Sequence, residues 1–137
     1  MTTLVGRLAA QRAEELVGSP FAHCGRGPVA YDCVGLALES YKFAGVDLPD
    51  FRGYSRQTVL NDPAAMVNPI LEHFRKVDEI QIGDLLLFAI KGHLTHVAIA
   101  LGADAFVHAY EGSINKAVRE NMTEDWRKRL QGAYRLK

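Results

Sequence analysis

The chain has 137 residues, of which 48% are hydrophobic and 23% are charged. This length and composition are typical of one globular domain, so we expect residues 1–137 to form a single domain. Sixteen Lys and Arg residues balance sixteen Asp and Glu residues, which argues against nucleic acid or a membrane surface as a partner. Because the first residues lack a signal-peptide pattern and no apolar run reaches membrane-spanning length, we expect synthesis in the cytoplasm, with both Cys residues as free thiols.

The first part of the chain has helical patterns. Apolar residues recur on one helix face between residues 5 and 17, and Gly18 is expected to end this helix. Two Gly and two Pro residues in 20–31 predict an irregular loop. Asp32 then provides an N-cap for a second predicted helix, which extends to Gly45.

The pattern changes along the rest of the chain. Residues 46–77 are predicted to be rich in loops, with short helical pieces at two pairs that suit helix starts, Asp62-Pro63 and Asn68-Pro69. The strands predicted from apolar runs are 85–90, 96–101, 105–110, 117–119 and 133–136, with a helical turn at 123–130. Helices followed by strands predict an α+β fold with an antiparallel sheet.

The turn between two of these strands predicts their register. A three-residue connection at 102–104 pairs Ala98 with His108 and His96 with Tyr110. His96 and His108 are then diagonal neighbours on one sheet face, with Cβ atoms about 6–8 Å apart. A slip of one residue would place the two rings on opposite faces.

Cys33 is the candidate nucleophile, because it stands at the predicted start of the second helix. Only the thiolate is a strong nucleophile, and a helix N-terminus favours it, so we expect Cys33 to be partly ionised at neutral pH and more reactive than Cys24. An imidazole can take the thiol proton and a further polar group can orient that imidazole, which makes His96 and His108 the candidate partners. The alternative is a buried structural thiol beside ordinary core or edge histidines. His23 and Cys24 are adjacent, but no second pair of metal-ligating residues lies close to them in the sequence. We therefore expect neither a metal nor a cofactor.

The motifs resemble those of the NlpC-type cell-wall cysteine peptidases, a branch of the papain-like fold. The motifs concerned are Gly18-Ser19-Pro20-Phe21 (their Gly-x-Pro-Tyr), Asp32-Cys33-Val34-Gly35-Leu36 (their Asp-Cys-Ser-Gly-Leu), Gly83-Asp84-Leu85 (their Gly-Asp-Leu), His96-Val97-Ala98-Ile99 (their His-Val-Gly-Ile) and Phe106-Val107-His108-Ala109, similar to the strand with their third polar residue. The resemblance covers residues 18–136. Its last part, 118–136 with Trp126 and Arg135, is similar to the phage-encoded members.

The resemblance implies a papain-like α+β fold in which N-terminal helices pack on a C-terminal antiparallel sheet. It implies that Cys33 is the nucleophile, His96 the base and His108 the orienting group. The implied reaction is hydrolysis of peptidoglycan stem peptides, commonly between D-glutamate and a diamino acid. No cofactor is implied.

Three residues are candidates for substrate contact. Phe21 stands where the family has Tyr, and Val34 stands where it has Ser. Both departures bear on specificity and leave the nucleophile and base in place. Tyr110, opposite His96 in the predicted register, is expected to form a wall of the cleft.

Two other function classes stay open, namely a structural virion or tail component with this fold and a thiol acyltransferase of the related lipid-modifying branch. In that branch the histidine precedes the cysteine, whereas Cys33 precedes His96 here. A wall hydrolase without an export signal needs delivery, so phage tail proteins are the expected partners besides stem peptides. Recycling of wall peptides in the cytoplasm is the alternative setting.

Overall fold

The structure, a computed structural model, describes residues 2–50, 65–90, 94–111 and 114–137. The elements in chain order are α1 (Leu4–Glu15), α2 (Cys33–Phe43), α3 (Asn68–Leu71), β1 (Phe74–Val77), β2 (Leu85–Ile90), β3 (Leu94–Ala100), β4 (Ala105–Tyr110), β5 (Lys116–Asn121), α4 (Glu124–Arg129) and β6 (Leu130–Leu136). The predicted α+β class is confirmed. The helical piece predicted at Asn68-Pro69 is α3, whereas the piece predicted at Asp62-Pro63 lies outside the described residues.

The six strands form one sheet in the order β1-β6-β2-β3-β4-β5, with every neighbouring pair antiparallel. The last strand lies between the first two, since β6 pairs with β1 on one side and with β2 on the other. The sequence pattern predicted a loop-rich segment where β1 lies. This was wrong because the four residues of β1 find their partner only in the C-terminal strand, a contact that local patterns do not reveal.

Helices α1 and α2 pack on each other and on the sheet. Both begin with a side-chain cap, because Thr3 accepts the N–H of Gly6 and Asp32 accepts that of Gly35. α1 crosses closely over the turn before β2, where a Cβ on Gly83 would lie 2.2 Å from the Gly6 Cα and where Gly83 has a φ of +90°. In the described ranges, no helix has the length and apolarity that crossing a membrane requires.

The two faces of the sheet bury different clusters. The helix face, covered by α1 and α2, carries alternate apolar side chains such as Leu87 and Val97. The α4 face, on the other side, carries Phe88 and Phe106, both in ring contact with Trp126 of α4. Because side chains alternate along a strand, the neighbouring residues Leu87 and Phe88 lie on opposite faces.

The hairpin of β3 and β4 has the predicted register. Ile99 pairs with Val107, which is the alignment that the connection at 102–104 predicted. His96 and His108 therefore lie on the same face of the sheet, the α4 face, and their rings are in contact.

Candidate active site

Cys33 is the first residue of α2, and the Asp32 cap holds this end of the helix. The buried Asp32 Oδ1 accepts the N–H of Gly35 at 2.7 Å and a second hydrogen bond from Arg26 Nη1 at 2.9 Å. The Arg26 side chain is only 8% exposed, and its Nε donates to Asp50 Oδ1 at 2.9 Å. Arg26 was not predicted from the sequence, because a Gly- and Pro-containing loop has no periodicity that indicates which side chain points inward.

The loop before Cys33 is bound to the start of β5. The N–H of Gly18 donates to the carbonyl of Ala117 at 2.8 Å, and the N–H of Phe21 donates to that of Asn115 at 2.9 Å. Phe21 is half-buried and packs against the core on the helix face. Val34 is fully buried in the same core, so its side chain has no surface open to a substrate in this structure.

The thiol lies where β3 and β4 separate. N–H groups alternate between the two edges of a strand. The N–H of Leu101 donates to Ala105 at 2.8 Å, so the N–H of Val97, four residues earlier, points to the same side. Within the described ranges the β3–β4 ladder extends only as far as Ile99, and the N–H of Val97 instead faces the sulfur of Cys33, where it acts to lower the pKa of the thiol. α2 thus reaches the sheet from the helix face at the gap between these strands.

His96 directly precedes Val97, and its ring is hydrogen-bonded to that of His108. The His96 Nε2 and the His108 Nδ1 are 2.7 Å apart. The two residues are 7% and 0% exposed. Because Nε2 of His96 is occupied by His108, Nδ1 is the ring nitrogen left to receive a proton from Cys33. The structure therefore places His96 and His108 in direct contact, and it places Cys33 beside the backbone of Val97, the residue that follows His96.

Aromatic side chains enclose the histidine pair on the α4 face. The ring of Tyr110 stacks on His108 with centroids 5.3 Å apart and lies 5.7 Å from the ring of His96. Trp126 and Phe106 contact His108 edge to face at 5.2 and 5.1 Å. This packing fixes the plane of the His108 ring and keeps water away from it.

Burial keeps the thiol and both rings neutral at neutral pH. Burial raises the pKa of Cys33 to about 12, and the neighbouring Asp32 carboxylate acts in the same direction. Burial lowers the pKa of His108 to about 4 and lowers the pKa of His96 well below its usual range, where His108 adds to the effect. The expectation that the helix N-terminus leaves Cys33 partly ionised is wrong for this structure, because desolvation outweighs the field of the helix.

A charged side chain next to the histidine pair comes from β5. The Oε2 atom of Glu120 lies 3.5 Å from Nε2 of His108. Glu120 was not predicted as a site residue, because the strand predicted there, 117–119, ended two residues before the observed end of β5 at Asn121. In the part of the chain that the structure describes, no three His, Cys, Asp or Glu side chains are grouped so that they could hold a metal ion.

Asp84 of the Gly-Asp-Leu motif links two strands of the sheet. Asp84 is 2% exposed, and both of its carboxylate oxygens accept hydrogen bonds from Arg135, at 2.9 and 2.8 Å. The N–H of Gln81 donates to the same carboxylate at 2.7 Å. This bidentate pair joins the start of β2 to β6.

The fold is of the α+β class, with a thiol at the start of a helix set against an antiparallel sheet that carries a histidine pair. Within this class, residues 18–135 match the model of the NlpC/P60 family. The chain belongs to the NlpC/P60 family.

Two curated proteins that are similar in sequence come from bacteria. A probable endopeptidase of Corynebacterium glutamicum is 29% identical over 108 residues, which are 79% of this chain and 44% of that protein. Protein P54 of Enterococcus faecium is 28% identical over 113 residues, 82% of this chain and 20% of that protein. The chain thus spans less than half the length of these curated relatives.

Solved structures of the family share the fold. A lipoprotein-like protein of the NLP/P60 family from Staphylococcus aureus superposes with a TM-score of 0.70 at 25% identity, over 99% of this chain and 42% of that one. The NlpC/p60 domain of the peptidoglycan hydrolase SagA superposes with a TM-score of 0.64 at 23% identity, over 96% of this chain and 98% of that domain. The NlpC-type fold expected from the motifs is confirmed.

Proposed function

We propose that this chain is a cysteine endopeptidase that hydrolyses stem peptides of bacterial peptidoglycan. Cys33 is the nucleophile, His96 the general base and His108 the group that orients His96. The observation that carries the proposal is the 2.7 Å hydrogen bond between the two rings beside the gap that holds the thiol. The match to the NlpC/P60 family and the similarity to a probable endopeptidase support it.

The first step is removal of the thiol proton. Since Cys33 and His96 are both neutral in the resting site, His96 Nδ1 takes the proton as the sulfur attacks the scissile carbonyl carbon. The positive charge that develops on His96 is stabilised through the hydrogen bond to His108. Proton transfer and attack are therefore coupled, and no stored thiolate is required.

The second step is expulsion of the amine. The negative charge on the carbonyl oxygen develops near the N-terminus of α2, where helix N–H groups and the helix dipole favour an anion. The His96 imidazolium returns its proton to the leaving nitrogen, the C–N bond breaks, and a thioester on Cys33 remains. A water molecule, deprotonated by His96, then hydrolyses the thioester and restores the thiol.

Digestion of defined muropeptides tests this function. We expect cleavage, detected by mass spectrometry, with and without chelator. Cys33→Ser should abolish cleavage, whereas the matched change Cys24→Ser, in the loop, should retain it. Loss of activity in chelator would contradict the mechanism, and cleavage of no wall peptide would favour the structural virion component.

Variants of the histidine pair test the assigned roles. His96→Ala removes the base and should lower kcat/KM by about 10² to 10⁴-fold. His108→Asn and His108→Gln should retain measurable turnover, because an amide can also orient the base, and His108→Ala should lose more. Circular dichroism provides the check that each variant is folded. Wild-type kcat/KM in His108→Ala would refute the orienting role.

We further propose which peptide bond is cleaved and where the protein acts. The motif resemblance supports cleavage between D-glutamate and a diamino acid, and the likeness of 118–136 to phage-encoded members supports association with a phage tail. Mass spectrometry of the two products identifies the bond. Immunoblotting of purified particles against host cytosol decides between a tail-associated protein and a cytoplasmic one.

A further inference from the structure

His108 has one ring nitrogen that its surroundings leave unsatisfied. Its Nδ1 is bonded to His96, but its Nε2 is buried and, among the described residues, is the one buried side-chain nitrogen or oxygen that lacks a hydrogen-bond partner. A buried polar atom without a partner is destabilising, because it has given up its hydrogen bond to water and gained none in return. The atom therefore points to a missing interaction at the rear of the histidine pair.

Glu120 is placed to supply that interaction. β4 and β5 pair His108 with Val118 and Phe106 with Glu120, so Glu120 is the diagonal neighbour of His108 on the α4 face. Its Oε2 is 3.5 Å from His108 Nε2, slightly beyond a normal hydrogen bond. The Glu120 side chain is 30% exposed and has room to move the remaining few tenths of an ångström.

The protons on the two rings can be arranged in only two ways while both are neutral. In the first, His96 Nε2–H donates to His108 Nδ1, which leaves a lone pair on His96 Nδ1 and a proton on His108 Nε2. In the second, His108 Nδ1–H donates to His96 Nε2, and His96 Nδ1 then carries a proton and cannot act as a base. The second arrangement also turns the lone pair of His108 Nε2 toward the Glu120 carboxylate, which is repulsive.

We propose that Glu120 is a positioning residue of this site, whose carboxylate accepts the Nε2 proton of His108 and thereby selects the tautomer in which His96 can take the thiol proton. The catalytic consequence rests on the proposed function; the tautomers themselves do not. The observed contacts run from His96 through His108 to Glu120.

The contact joins a neutral ring to a carboxylate. Burial lowers the pKa of His108 to about 4, so the ring is uncharged at neutral pH. In the proposed tautomer this uncharged ring donates from Nε2. Among the described residues, the titratable groups that contact His108 are His96 from β3, Tyr110 from β4 and Glu120 from β5, and Trp126 of α4 contacts it edge to face. When His96 becomes an imidazolium, the carboxylate also favours the positive charge on the pair.

Nitrogen NMR of ¹⁵N-histidine-labelled protein tests the tautomers without any substrate. Two-bond proton–nitrogen correlations show which ring nitrogen carries the proton, and His96→Asn and His108→Asn variants assign the signals. We expect both wild-type rings to be protonated at Nε2. A wild-type His108 protonated at Nδ1 would overturn the proposal.

Variants of Glu120 provide a second test of the proposal. Glu120→Ala should give a mixture of tautomers, and Glu120→Gln should also do so because its amide can donate as well as accept. In both, kcat on a muropeptide should fall about tenfold with KM unchanged. Glu14→Gln, on the exposed side of α1, is the control and should change neither readout.

The outcomes separate the two proposals. Unchanged tautomers in Glu120→Ala would overturn the role of Glu120, whatever the activity. Wild-type protein that cleaves no muropeptide, with tautomers that respond to Glu120, would refute the proposed function alone. A raised KM with an unchanged kcat in Glu120→Ala would also contradict a role through His108.

Discussion

Alkylation of Cys33 is expected to accelerate steadily with pH, without a plateau near neutrality. Burial raises the pKa of the thiol from the 9.0 of an unperturbed cysteine to about 12. At pH 7 the thiolate fraction is then about 10⁻⁵, instead of about 10⁻² for the unperturbed group. The difference of about three pKa units corresponds to about 4 kcal/mol.

The assay is the rate of modification by iodoacetamide between pH 5 and pH 10, followed by peptide mapping in a Cys24→Ser background. We expect the logarithm of the rate to rise by about one per pH unit and to change little in His96→Ala. A preformed thiolate–imidazolium pair would give a different profile, with a plateau from acid pH to neutrality that disappears in His96→Ala. That plateau would refute the neutral resting site.

The same pKa shift makes stability depend on pH. Because the pKa of Cys33 is higher in the folded chain than in the unfolded chain, the protonated thiol contributes stability that is fully present below about pH 9. This contribution is lost as the pH rises from about 9 through 12, where the unfolded chain ionises first. Urea unfolding of wild type and Cys33→Ser at pH 7 and pH 10.5 should therefore show a smaller stability advantage of the thiol at the higher pH.

Two further predictions concern the frame around the site. Gly35→Ala should lower activity on the order of 10²-fold and destabilise the protein by about 1–3 kcal/mol, because the new Cβ would lie 1.9 Å from the carbonyl oxygen of Gly25 and displace the loop before Cys33; Gly132→Ala, which meets only side-chain atoms at 3.1 Å or more, is the control. Asp84→Asn should cost about 3–5 kcal/mol in urea unfolding, since it leaves the Arg135 guanidinium without its buried counter-charge, and adding Arg135→Met should recover part of that loss. Equal losses in the two Gly variants, or an unchanged midpoint in Asp84→Asn, would contradict these explanations.

Local patterns in the sequence determined the class of the fold and the histidine register. Helix periodicity and the Asp32 cap predicted α1 and α2, and a three-residue turn predicted the alignment that places His96 and His108 on one face. These features depend on neighbours within a few residues, which is the range over which propensity, capping and turn geometry act.

The tertiary structure alone decided the ionisation of Cys33 and the surroundings of the pair. A helix start by itself favours a thiolate, but the energy of desolvation depends on the sheet that covers the sulfur, and this is set by long-range packing. In the same way, Glu120 reaches His108 only because β5 pairs with β4, and Arg26 reaches Asp32 only because its loop folds inward. Burial and pairing between distant segments are properties of the folded chain as a whole, so a local pattern predicts where a nucleophile stands and the fold decides its charge.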